Sequence, residues 1–294
     1  MPHKDRIIRA TGAKAPMRLV VIDLTNSMNE IGKRHGAKAY SLKLLAETAV
    51  ASMFLSSSLK FPGTVSVKMR FSGDISLIQA DTTPQGFLRA MIPQQEILDM
   101  NQFEPMILPQ KFEVVKLDAQ GKRIHQSVVE AVQGTIGHNL AAYLLQSEQV
   151  RSAVCIEAKV NSHDSSALDY AVGFMVEAYP DLAERDIAIM EQVVVNIPRM
   201  QTFFKDGAFD LDALLDELRG PYDIDVVKSF EPEAYCPCSR ERMLSTLATL
   251  PEKDLKELAA EQEPLEIICD FCRSKYYIAP IDLRQILADR TKKS

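Results

Sequence analysis

Cys236-Pro237-Cys238-Ser239-Arg240-Glu241-Arg242 and, after an interval of 30 residues between the inner cysteines, Cys269-Asp270-Phe271-Cys272 are the stretches on which the reading of this chain turns. They hold four of its 5 cysteines. Two short thiol pairs at this spacing suit a tetrahedral zinc centre with Zn–S bonds of about 2.3 Å. Between them the apolar positions Met243, Leu244, Leu247 and Leu250, then Leu255 and Leu258, predict two helices, the second opening at Pro251. Lys275–Ile278 predicts a strand and 281–287 a helix. The segment 231–294 is too small to rest on its core alone, which gives a metal staple a physical purpose. Zinc-bound thiolates are also the species that peroxide attacks, and either pair can close a local disulfide. The same centre can therefore be a permanent staple or a redox fuse.

Working outward, the apolar run from Ala39 to Ser57, closed by Pro62-Gly63, predicts one long buried helix. A hairpin follows, Thr64–Phe71 and Ile75–Ala80 about a Ser72-Gly73-Asp74 turn. Further strands are expected at Arg18–Leu24, Gly86–Ile92, Phe112–Leu117, Ile124–Val132, Val150–Ala158 and Ala171–Ala178, with a helix near Asn139–Glu148. The fold class read from this pattern is α+β. Residues 1–180 form a domain with a largely antiparallel sheet and packed helices, 181–230 a helical acidic connecting region, and 231–294 a small zinc-binding domain. In the connecting region Asp181-Leu182-Ala183-Glu184 has capping-box spacing. A second helix begins near Asp210, with the stripe Leu211, Leu214, Leu215 and Leu218, and ends at Gly220-Pro221. Short helices of this kind hold only by docking.

Charge narrows the function. Of 34 basic and 40 acidic residues, 181–230 hold 5 and 11, whereas 1–180 hold 19 and 17. The net charge of -6 gives no global attraction to nucleic acid or anionic lipid, and the acidic 231–294 segment disfavours nucleic-acid binding despite Arg240 and Arg242. No phosphate-binding glycine loop or nucleophile elbow is present, so neither ATP-driven nor hydrolytic chemistry has a seat, and no enzyme activity is expected. The apolar stretch Thr48–Leu59 is too short to span a bilayer, and the amino terminus lacks the apolar core of a secretory signal; a cytoplasmic protein without membrane contact is expected. Cys155, in Ala153-Val154-Cys155-Ile156, reads as a buried core thiol. His3, His35, His125, His138 and His163 lack ligand spacing and read as surface residues.

The two cysteine stretches with Tyr276-Tyr277, together with Leu59-Lys60-Phe61, Ser147-Glu148-Gln149 and Gly173-Phe174-Met175, make the chain resemble the 33-kilodalton redox-regulated heat-shock chaperones of bacteria and some organelles. The position after the last cysteine, commonly Gly or Asn in that family, is Arg273 here. The resemblance implies an ATP-independent holdase whose reduced form carries one Zn²⁺ on Cys236, Cys238, Cys269 and Cys272. It further implies that oxidants pair Cys269 with Cys272 and Cys236 with Cys238, that zinc leaves, and that the small domain unfolds. The connecting helices then undock, and the protein, often a homodimer, captures unfolding client proteins. Two other readings stand beside it: a constitutive zinc-stabilised protein-binding module, and a thiol oxidoreductase using Cys269 and Cys272, which lacks a surrounding βαβ unit.

Overall fold

The computed structural model of the protein describes residues 4–12, 16–72, 75–93, 108–180, 182–219 and 223–291. Helix α2 (Ala39–Ser57) is apolar on all sides and buried along nearly its whole length. A helix with no solvent face has to be enclosed, and two sheets enclose it. One runs β12-β1-β2-β9-β8, from β1 (Arg6–Gly12), β2 (Met17–Asp23), β8 (Ser152–Val160), β9 (Leu168–Ala178) and β12 (Ile224–Phe230), all antiparallel. The other runs β13-β5-β4-β3-β6-β7, from β3 (Gly63–Phe71), β4 (Leu77–Thr82), β5 (Phe87–Met91), β6 (Pro109–Asp118), β7 (Arg123–Glu130) and β13 (Glu233–Ala234), the last joining β5 in parallel. The single sheet expected from the sequence is thus two, because α2 presents apolar side chains in both directions. Ser52 is one of the buried polar residues on α2. Its Oγ lies 3.2 Å from the Val65 carbonyl, 3.1 Å from that of Ala80 and 2.8 Å from Thr82 Oγ.

Strand β9 is buried on both faces. Ala171 and Met175 face the α2 core, whereas Tyr170, Val172, Phe174, Val176 and Ala178 form a second core on the opposite side. At Gly173 a Cβ would sit 2.6 Å from the Cys155 carbonyl and 3.1 Å from the Phe54 ring, so its absence lets α2 approach the sheet. The second core is covered by α4 (Glu184–Asn196), a 3-10 turn (Met200–Phe203), the ribbon of β10 (Phe204–Lys205) and β11 (Ala208–Phe209), and α5 (Leu211–Arg219). Between the sheets' sequence segments lie α1 (Thr25–His35) and α3 (Ile136–Tyr143), the latter running into a π turn at Leu144–Glu148. The chain forms two compact units, Met1–Tyr235 and Cys236–Ser294.

Several expectations change. The 181–230 region is not helical throughout: it contains β10, β11 and β12, and β12 is a full strand of the first sheet. In Ile224–Phe230 only the two ends are half-buried and the residues between them are exposed, so no alternation marks the strand in the sequence. Helix α4 starts at Glu184 with Ala183 at its N-cap and no side-chain cap. Asp181, Gly220-Pro221 and the Gly73-Asp74 turn lie outside the described residues. His35 is buried in the last turn of α1, not on the surface, and Cys155 is only partly buried, against the second core. The helix near 139–148 begins at Ile136, where Thr135 caps it. As expected, α5 buries Leu211, Leu214, Leu215 and Leu218, and the Asp210 carboxylate accepts from the Ala213 N–H at 2.9 Å.

Glu47 sits inside the core on α2, its carboxylate accepting from the Ala158 N–H at 3.4 Å with Lys43 Nζ 4.0 Å away. Burial raises its pKa from 4.5 to about 7. Both states are neutral at this group below pH 4.5; the cost of its charge enters as pH rises through that value and is complete above about 7. Glu47→Gln is expected to stabilise the protein by about 1–3 kcal/mol at pH 8 and to leave it unchanged at pH 4, as urea denaturation at the two pH values would show.

Candidate metal centre

The Cys236–Ser294 unit is built from α6 (Arg240–Leu247), α7 (Glu252–Ala260), a hairpin of β14 (Leu265–Ile268) and β15 (Lys275–Ile278), and α8 (Pro280–Thr291). Its core has Leu247, Leu255, Ala259, Ile278 and Leu283 as its buried residues. Both cysteine pairs are held by local backbone features. Cys236 and Cys238 precede α6, whose N-cap Ser239 accepts from the Arg242 N–H. The Arg242 guanidinium returns to donate to the Pro237 carbonyl at 3.0 Å, inside the Cys-Pro-Cys turn. Arg240 pairs with Asp282 at 2.6 Å. The two arginines beside the cysteines therefore serve the unit itself.

Cys269 and Cys272 occupy the turn of the β14–β15 hairpin. Cys269 donates its N–H to the Ser274 carbonyl and accepts through its own carbonyl from the Arg273 N–H, each at 2.9 Å. The backbone N–H groups of Phe271 and Cys272 are directed at Cys269 Sγ. Closing this turn places Arg273 in the left-handed region, at φ 61°. That conformation explains a preference for Gly or Asn at this position, since both tolerate it better than arginine.

The four Sγ atoms lie within 4.8 Å of one another. Cys236 and Cys269 approach to 3.8 Å and Cys238 and Cys272 to 3.2 Å. A tetrahedron with 2.3 Å metal–sulfur arms has edges of about 3.8 Å, so the cluster has the dimensions of a four-thiolate site. Sulfur-only donors favour zinc or iron over hard cations. All four residues selected from the sequence are thus brought together, and Cys155 is not among them. Two contacts to the sulfurs are not legible in the sequence, although Tyr276 stands out there as part of the motif. The Tyr276 hydroxyl donates to Cys238 Sγ at 3.0 Å, and Ser274 Oγ lies 3.2 Å from Cys272 Sγ. Their signal is positional, since both belong to a hairpin whose turn carries thiols.

These contacts separate the thiols. Burial pushes Cys238 up to about 12 despite the Tyr276 hydrogen bond, and burial likewise raises Cys269. At Cys272 burial acts in the same sense but is outweighed by hydrogen bonds from the Ser274 side chain and backbone, which bring it down to about 7.

An α+β body and a four-thiol centre able to hold a metal ion define the class of this protein. The chain belongs to the Hsp33 family of chaperones: the Hsp33 protein family model matches residues 5–279. It is 29% identical over 289 residues to the 33 kDa chaperonin of Lactococcus lactis subsp. lactis strain IL1403, spanning 96% of this chain and 99% of that protein. Against the 33 kDa chaperonin of Streptococcus gordonii strain Challis the figures are 27% over 292 residues, 98% and 100%. The crystal structure of the 33 kDa chaperonin (heat shock protein 33 homolog) from Thermotoga maritima has the same fold, with a TM-score of 0.84 over 99% of this chain and all of that one at 20% identity. Among the described residues no helix is long and apolar enough to cross a membrane.

In reduced, chelator-treated protein the small unit is expected to lose its fold, so that Cys236, Cys238, Cys269 and Cys272 are all alkylated rapidly, whereas the metal-loaded protein protects them; peptide mass spectrometry after brief iodoacetamide pulses checks this. Arg273→Gly is expected to raise the stability of the small unit by about 0.5–1 kcal/mol, less than the full left-handed penalty because glycine also loosens the unfolded chain. Thermal unfolding of the metal-loaded protein measures it.

Proposed function

We propose that the chain is an ATP-independent, redox-switched holdase for unfolding proteins. The observation that carries the reading is the gathering of four thiols in a unit with only a handful of buried apolar side chains. Cys236, Cys238, Cys269 and Cys272 would hold one zinc ion in the reduced state. When bound, the metal supplies folding free energy of order 10 kcal/mol, on the scale of a whole small domain's stability.

Oxidation proceeds on the sulfurs themselves. One cysteine Sγ attacks a peroxide oxygen, breaking the O–O bond and leaving a sulfenic acid and hydroxide. The partner Sγ then displaces the sulfenic hydroxyl as a second hydroxide, closing the S–S bond; the zinc-bound sulfurs carry no protons, so the two hydroxides are neutralised by protons from solvent. Each disulfide consumes one peroxide, which takes up two electrons. Cys269–Cys272 and Cys236–Cys238 are the pairs we assign. Once paired, the sulfurs no longer form a ligand set, and the small unit lacks the core to stay folded.

The client surface we assign is the second core. Among the described residues, α4 lends it Ile187 and Val194 as half-buried contacts, while Ile189 and Val195 face solvent. An element so lightly docked opens at low cost. Release of α4 and α5 would uncover Val172, Phe174 and Val176 on β9 as well as the leucine stripe of α5, an apolar area able to hold unfolded chains without sequence specificity. Dimerisation of the oxidised form and a cytoplasmic location complete the proposal.

Peroxide added to reduced, zinc-loaded protein at heat-shock temperature is expected to release one zinc per chain, seen with a chromophoric chelator, as protection of a thermally unfolding client begins. Cys155, beneath Val194 and Ile197, should then become the fast-labelling thiol, and non-reducing peptide maps should show the two local disulfides. Retained zinc, or full protection before oxidation, would reduce the centre to a structural staple.

A further inference from the structure

Beneath the first turns of α4 lies a cavity of about 700 Å³, inside the roughly 300–1,000 Å³ range of small-molecule sites. Its polar groups are almost all spent on one another. Arg18 pairs with Glu177, which is 4% exposed, and donates to Ser58 Oγ. Lys116 Nζ and the Tyr143 hydroxyl each donate to Glu148 Oε1 at 2.6 Å. Glu148 ends the π turn, and Gln149 after it is left-handed at φ 56°; π turns concentrate at functional sites. The rim pair Arg151–Glu184, at 3.1 Å, is exposed and worth little.

Two cationic donors remain on the cavity wall. Lys60 makes no ion pair or hydrogen bond among the described residues, and Nη1 of Arg18 is left over after the bonds from its Nε and Nη2. Apart from Gln149 and Tyr179, the remaining wall is largely apolar. Leu55 and Leu144 come from the body of the unit, and Leu182 and Ile187 from α4 and the residues leading into it.

We propose that this cavity binds an amphiphile with a single anionic head and an apolar tail, the head taken by Lys60 and Arg18 and the tail by Leu55, Leu144, Leu182 and Ile187. Such a ligand touches both α4 and the sheet side of the cavity, so occupancy holds α4 down. The site is independent of the redox reading; only the consequence that a bound amphiphile delays client capture rests on it.

The test uses the full reduced, metal-loaded chain, titrated calorimetrically with decanoate, decyl phosphate and decanol below their aggregation limits. One saturable site for an anion is expected, weakened about tenfold or more by Lys60→Glu and unaffected by Lys33→Glu on α1, a tenfold change being about 1.4 kcal/mol. Hydrogen exchange over 184–196 should slow on binding. Tighter binding of decanoate marks a free acyl carboxylate as the source, and of decyl phosphate a phosphate-headed lipid. Decanol binding as tightly as the anions, an unchanged Lys60→Glu, or no saturable uptake by any probe would overturn the proposal. None of these results depends on whether oxidation activates the protein.

Discussion

The small unit from Cys236 to Ser294 has too little apolar surface to fold on burial alone, and everything distinctive about the protein follows from that shortage. Leu247, Leu255, Ala259, Ile278 and Leu283 are a thin core for two helices, a hairpin and a terminal helix. Four sulfurs within 4.8 Å of one another form a site that could hold a metal ion and so supply what the core lacks. A unit held in this way responds to the chemistry of its ligands, whereas a unit held by packing does not.

The larger unit solves the opposite problem. Its α2 is so apolar that two sheets are needed to bury it, and β9, apolar on both faces, is left with a side that the sheet sandwich does not cover. Helix α5 covers that side with four buried leucines, but α4 does so with half-buried contacts and an exposed ion pair. Stability is therefore uneven by construction. The α2 core is deep and closed, and the second core is a large apolar surface under a light lid. Strand β12, through its ladder with β1, anchors the chain that follows α5 to the first sheet.

Two close approaches in the sulfur cluster run between the motifs, Cys236 to Cys269 at 3.8 Å and Cys238 to Cys272 at 3.2 Å. A closed tetrahedral arrangement makes every sulfur accessible to every other, so proximity in the reduced state does not choose the oxidised partners.

By itself the sequence determined what is local or compositional. The Cys-X-Cys and Cys-X-X-Cys spacings identify the four thiols that cluster, the apolar run at 39–57 identifies the buried helix, and Leu211, Leu214, Leu215 and Leu218 identify a docked stripe, because period and spacing are written along the chain. Tertiary structure alone decided that there are two sheets rather than one, that Ile224–Phe230 pairs with β1 from more than 200 residues away, and that His35 is buried. It also placed Tyr276 and Ser274 on the sulfurs and set Lys60, Arg18 and Glu148 around one cavity. The physical reason is common to all of these. They depend on which surfaces meet when distant segments fold together, and no periodicity within a segment records its partner.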